Sequence, residues 1–174
     1  VAYTDRQPER GVEVSRVPRL AGYFGVLQTM ARMAGIVREG SGHPLVALAA
    51  RQFTRNGTHL DPRGRVENIR NRVGAAFEYV HDPAGVEQLS TPERLARAFR
   101  SHGTVRGDCD DLAIWTAAVG RTLRYPARFV ALATGQHGRY LDHILTEWAV
   151  GDTWISMDTI NPRARRLAVH VWRL

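Results

Sequence analysis

The hydrophobic period of this chain changes once, near residue 126. Upstream, apolar residues recur at the 3.6-residue spacing of helices facing a core; downstream they alternate with period 2. Helices first and strands last imply an α+β fold, with N-terminal helices packed on a C-terminal antiparallel sheet. Phe24, Leu27, Ala31, Ala34 and Val37 mark the first helix face, from Gly22. GSG at 40–42 stops it, and Pro44 opens a second helix to about Phe53. NGT at 56–58 reads as a turn. Val66, Ile69, Val73, Ala76, Phe77 and Val80 form the strongest stripe, read as one helix. After a turn at DPAG (82–85), Ser90, Thr91 and Pro92 open a helix with Leu95, Ala98 and Phe99 inward. GDCDDLAIWTAAVGRTLRY, 107–125, carries another, with Leu112, Ala113, Thr116, Ala117, Gly120 and Leu123 inward; Gly120 suits close packing. Strands are expected over 126–134, 142–150, 153–158 and 166–172, and Gly151-Asp152 is a two-residue hairpin turn.

The 174 residues suit a single domain over 21–174 preceded by an irregular arm over 1–20, where Pro8, Pro18 and alternating charges deny a helix. No apolar run approaches the roughly 18 residues of a membrane span, and the start does not read as a signal peptide. The expected location is cytoplasmic. All 24 basic residues are arginine. Net charge is +6 over residues 1–75, −3 over 76–162 and +4 over 163–174. Basic flanks around an acidic middle could dock on an acidic partner. Without an aromatic-interleaved basic cluster, nucleic acid is not expected as a partner, and solvated arginines account for the charge.

One cysteine excludes an internal disulfide and any cysteine-based zinc cluster. Cys109 falls at the start of an apolar helix, whose free N–H groups and dipole favour a thiolate. Asp108, Asp110 and Asp111 oppose ionisation, so a histidine partner is required. The hairpin supplies one. With the turn centred on Gly151-Asp152, Leu145 faces Asp158 and His143 faces Ile160. His143 and Asp158 are then diagonal neighbours on one face, within reach of each other. The set reads as nucleophile, proton shuttle and orienting acid, with the Cys109 N–H as an oxyanion donor. The plainer alternatives are a lone inert cysteine and an ordinary cross-strand polar pair.

GDCDDLAIWTAAVGRTLRYPARFVAL, DHILTEW and TWISMD resemble the transglutaminase-like superfamily in spacing and surroundings. The upstream stretches LQTMARMAGIVREGSGHPLVALAARQF, FEYVHDPAG and STPERLARAF resemble its bacterial and tailed-phage members. The resemblance implies a papain-like core, catalytic Cys109, His143 and Asp158, no cofactor or metal, and a peptide or protein substrate. Animal transglutaminases carry an aromatic residue after the nucleophile, where this chain has Asp110. The expected activity is therefore hydrolysis of peptide or amide bonds, as in thiol proteases and amidases, more than crosslinking. The alternative is a phage structural or assembly protein that keeps the fold and engages other virion proteins through its basic N-terminal arm and C-terminal tail.

His81, His102, His137 and His170 lack metal-ligand spacing, and Asp110 and Asp111 read as helix-start residues. Glu147 shares the His143 strand face and reads equally as tuning the site or as solvated. Trp115, Trp148, Trp154 and Trp172 read as packing.

Overall fold

The computed structural model describes residues 12–15, 22–83, 86–134, 141–161 and 169–174. Its helices are α1 (Gly22–Gly40), α2 (Pro44–Thr54), α3 (Pro62–Ala75), α4 (Pro92–His102) and α5 (Cys109–Thr122). Its strands are β1 (Val12–Ser15), β2 (Phe77–Tyr79), β3 (Glu87–Ser90), β4 (Val105–Gly107), β5 (Ala127–Leu132), β6 (His143–Val150), β7 (Thr153–Ser156) and β8 (Val169–Arg173). The fold is α+β, as the change of period implies.

Three helices start by one device. His43, Asp61 and Thr91 accept a backbone N–H of the first turn, and a proline follows each. Proline's fixed φ suits that turn and its missing N–H would have had no helical acceptor. Gly103, at φ 72°, closes α4 in the left-handed region.

α5 is the centre of the molecule. Asp110 through Gly120 are buried without interruption, all round the helix rather than along one stripe. Helices α1, α2 and α4 contact it, and β5 and β6 lie against it. A helix enclosed on every side needs no polar face. The main sheet runs β7-β6-β5-β8, each neighbouring pair antiparallel. Trp148 Nε1 donates to Thr116 O and Thr146 Oγ1 to Ala113 O, bonding β6 directly to α5. Gly120 lets the Trp148 ring close in: a Cβ there would lie 2.5 Å from Nε1.

Two small sheets depart from the sequence reading. The stripe read as one helix to Val80 breaks at Ala75; Phe77–Tyr79 instead pair in parallel with Val105–Gly107. Apolar residues at 76, 77 and 80 keep the helical spacing by coincidence, and pairing with β4 decides the conformation. The arm read as irregular contains β1, antiparallel to β3. Strands of three or four residues carry too little alternation to be seen in sequence. The last strand is described from Val169, and the rest of its expected span lies outside the described residues.

Candidate active site

The hairpin register brings two of the expected residues together. Val150 pairs with Thr153 and Glu147 with Ser156 around Gly151-Asp152, with Gly151 at φ 56°. Met157 N donates to Thr146 O, carrying the register one step further. The chain then turns, and Asp158 makes the turn: its Oδ1 accepts from Ile160 N (2.8 Å) and Asn161 N (3.2 Å). Its Oδ2 lies 2.7 Å from His143 Nε2, with both side chains buried.

The helix brings the third. Bonds from Thr146 to Ala113 and Trp148 to Thr116 set β6 and α5 running the same way, so the first residue of the strand and the first of the helix meet at one end. There the His143 ring is hydrogen-bonded to Asp158, and Cys109 lies near enough to help raise its pKa. Nε2 serves Asp158, which leaves Nδ1 for sulfur. Burial disfavours charge on the ring. The bond to Asp158 and the charges of Asp158 and Cys109 outweigh it and raise His143 to about 10. Burial likewise works against the Asp158 anion, but the His143 bond and charge and the two backbone N–H groups hold it below the usual carboxylate range.

The acids around Cys109 stand at the start of α5 as expected, Asp108 as its cap and Asp110 and Asp111 in its first turn, but the last two are buried. Only Asp108 caps α5, through Asp110 N. Asp110 and Asp111 point inward, 3% and 4% exposed. Asp111 accepts Ser90 N from β3 at 2.8 Å; burial outweighs that bond and raises its pKa to about 7. Asp110 is hydrogen-bonded to Glu87 of β3 and accepts the Cys109 thiol on Oδ1 at 3.6 Å. Burial and these neighbours push it well above the usual range. Asp82, accepting Gln88 N, rises to about 6, chiefly through burial. Tyr79, on the neighbouring β2, is also raised, by burial and then by the charges of Cys109, Asp108, Asp110 and Asp82. Sequence reasoning missed Glu87 and Tyr79. The available signal was two adjacent acids inside an otherwise apolar helix.

The other residues considered fall outside the site. Glu147 is fully buried and paired with Arg128 at 2.6 Å, so it is neither solvated nor at the thiol. Arg128 also lies over the Trp154 ring. Trp115 packs with Phe53 and Phe99, and Trp148 stacks on Tyr125. His170 bonds Tyr23; His137 lies outside the described residues.

The model of the transglutaminase-like superfamily matches residues 48–159, more than half of the chain and all of this site. The chain belongs to the transglutaminase-like superfamily. Among solved structures it is similar to "a Putative Cysteine Protease from Cytophaga hutchinsonii", at 19% identity and a TM-score of 0.47. That alignment covers 68% of this chain and 37% of the other, so the chain spans little more than a third of its length. No curated protein matches the chain. The helix-on-antiparallel-sheet core is the one this superfamily membership leads one to expect.

Asp108, Cys109 and Asp110 are the described residues whose metal-ligating atoms gather, all within 4.8 Å. Zinc accepts both kinds of donor, but the cluster needs no ion to account for it, because its acids belong to the start of α5. No helix among the described residues is long and apolar enough to cross a membrane.

Proposed function

We propose that this superfamily member is a thiol acyl-transfer enzyme that hydrolyses peptide or amide bonds through Cys109, His143 and Asp158. The observation that carries the reading is the buried His143 ring bonded to Asp158 at 2.7 Å, with Cys109 near enough to act on its charge. The Cys109 sulfur attacks the acyl carbon, its proton passing to His143. The amine leaves with that proton, and a thioester remains. Water attacks the thioester, gives a proton to the ring and releases the acid as the thiol is restored. Asp158 orients the ring and stabilises its cationic form. As the first residue of α5, Cys109 has a backbone N–H with no helical acceptor, free to bind the oxyanion.

Water is favoured over an amine as acceptor. The chain has no lysine, so it cannot polymerise itself through glutamine–lysine bonds. Nothing in the residue after the nucleophile, Asp110, excludes water from the thioester. The test offers a glutamine-containing peptide library with excess primary amine to the wild type and to Cys109→Ala, with products read by mass. Cleaved or deamidated peptides, lost in Cys109→Ala, are expected. Amine adducts in the majority would overturn the hydrolase reading. No product, with Cys109 unmodified, would turn the reading toward an assembly protein.

A further inference from the structure

The thiol of Cys109 has an acceptor of which the acyl-transfer reading makes no use. Oδ1 of Asp110 lies 3.6 Å from the sulfur. The Asp110 backbone is fixed by its N–H bond to Asp108, and its carboxyl is enclosed. The same carboxyl is hydrogen-bonded to Glu87, across from α5 on β3. Two carboxyls bonded to each other must hold a proton between them, because neither anion has a hydrogen to give. Glu87 is the partner nearer to solvent, half-buried where Asp110 is enclosed. The shared proton is therefore held by the enclosed partner, Asp110, whose burial disfavours its anion.

We infer that Asp110 is a positioning residue for the Cys109 thiol: its Oδ1 accepts the S–H while its bond to Glu87 keeps the negative charge away from the sulfur. This rests on the acyl-transfer reading and concerns how that site is set. A bare carboxylate beside the nucleophile would oppose thiolate formation. A carboxyl tied to Glu87 does not, and still fixes the sulfur in one orientation. The proton has two places to go. In the thiol form S–H points to Asp110; in the thiolate form the proton is on His143, which Asp158 holds from the other side. The ionisable groups facing this exchange are Asp108 beside it on α5, Glu87 on β3, Tyr79 on β2, Asp82 before β3, and His143 on β6 with Asp158 behind it. Asp111 neighbours Asp108 and Asp82 and bonds Ser90.

The test is the pH profile of Cys109 alkylation by iodoacetamide in the wild type, Asp110→Asn, Asp110→Ala and His143→Ala. Asparagine can accept S–H on its oxygen and donate to Glu87 through nitrogen. Its profile should stay within about 0.2 unit of the wild type. Alanine removes the acceptor, destabilises the thiol form and moves the acid limb down by roughly 0.5 unit. Asp110→Leu, with a similar branched shape and no acceptor, replaces the alanine variant if that protein does not fold. Equal downward shifts in the asparagine and alanine variants would mean that Asp110 carries the charge, and would overturn the inference. So would no shift in either. His143→Ala separates the two readings. If its rate collapses while the Asp110 variants fail the expectation, only the positioning role falls. If its rate equals the wild type, the acyl-transfer reading falls with it.

Discussion

Replacing Gly120 by alanine should loosen the contact that holds the thiol's helix to the imidazole's strand. The added Cβ would meet Trp148 Nε1 at 2.5 Å and Cε2 at 2.6 Å, where ordinary contact begins at 3.4 Å. The indole must retreat by about 1 Å, and it has nowhere to go. Trp148 is fully buried, stacked on Tyr125 at 5.0 Å and bonded to Thr116 O. Overpacking of this kind costs about 1–3 kcal/mol. Breaking the Nε1 bond leaves a buried donor unpaired, for about 1–3 kcal/mol more. Alanine's better helix propensity returns about 1 kcal/mol. The net expectation is a loss of about 3 kcal/mol, a drop of roughly 1–2 M in the urea midpoint followed by tryptophan fluorescence. Because β6 also carries His143, Cys109 alkylation should slow in the folded variant. Gly35→Ala is the matched control: nothing lies within 4 Å of its Cβ, in the interior of α1, so it should gain about 1 kcal/mol. A Gly120→Ala protein as stable as the wild type would refute the reasoning.

Three further outcomes are expected. The His143–Asp158 pair stabilises fully below the unfolded imidazole pKa of 6.5 and loses that contribution as pH rises toward about 10. It fails again as pH falls through the lowered pKa of Asp158, so the stability gap between wild type and His143→Gln should peak near pH 5–6 and shrink toward 10, as urea midpoints across pH will show. Asp111 works the other way: its pKa rises from 3.8 to about 7, so its ionisation costs stability progressively across that window. Asp111→Asn should match the wild type at about pH 4 and exceed it by about 1–3 kcal/mol at about pH 8; a gap independent of pH in denaturation would count against a buried carboxylate. Asp61→Ala removes the cap that accepts Gly64 N, costing about 1 kcal/mol in thermal melts and leaving Cys109 alkylation unchanged.

The larger elements were legible because their physics is local. Prolines at the helix start announce α2 and α4, the apolar stripe announces α3, and the period-2 runs announce β5, β6 and β7. The hairpin register follows from its glycine turn, and with it the meeting of His143 and Asp158. Three things were not legible. The strand identity of Phe77–Tyr79 depends on β4, almost thirty residues on in sequence, which no local window contains. Pairing with β1 makes a strand of Glu87–Ser90, a segment without alternation. The role of Asp110 depends on Glu87 arriving opposite it, so adjacent acids at a helix start read as dipole partners until the fold buries them.

In the proposed mechanism the three reacting groups stand on one helix, one strand and one turn, held together by packing and by the hydrogen bonds of Thr146 and Trp148 to α5. That has a consequence for the life of the polypeptide before it is complete. A nascent chain that has emerged only through α5 carries Cys109 but no imidazole for it, and one that stops short of Asp158 carries an imidazole without its orienting acid. Each is an ordinary thiol protein. By the proposed mechanism, reactivity waits until β6 docks on α5 and the following turn closes, a non-local event in folding. On the proposed mechanism, a copy truncated before Asp158 or misfolded around β6 is chemically silent instead of being a promiscuous acylating agent.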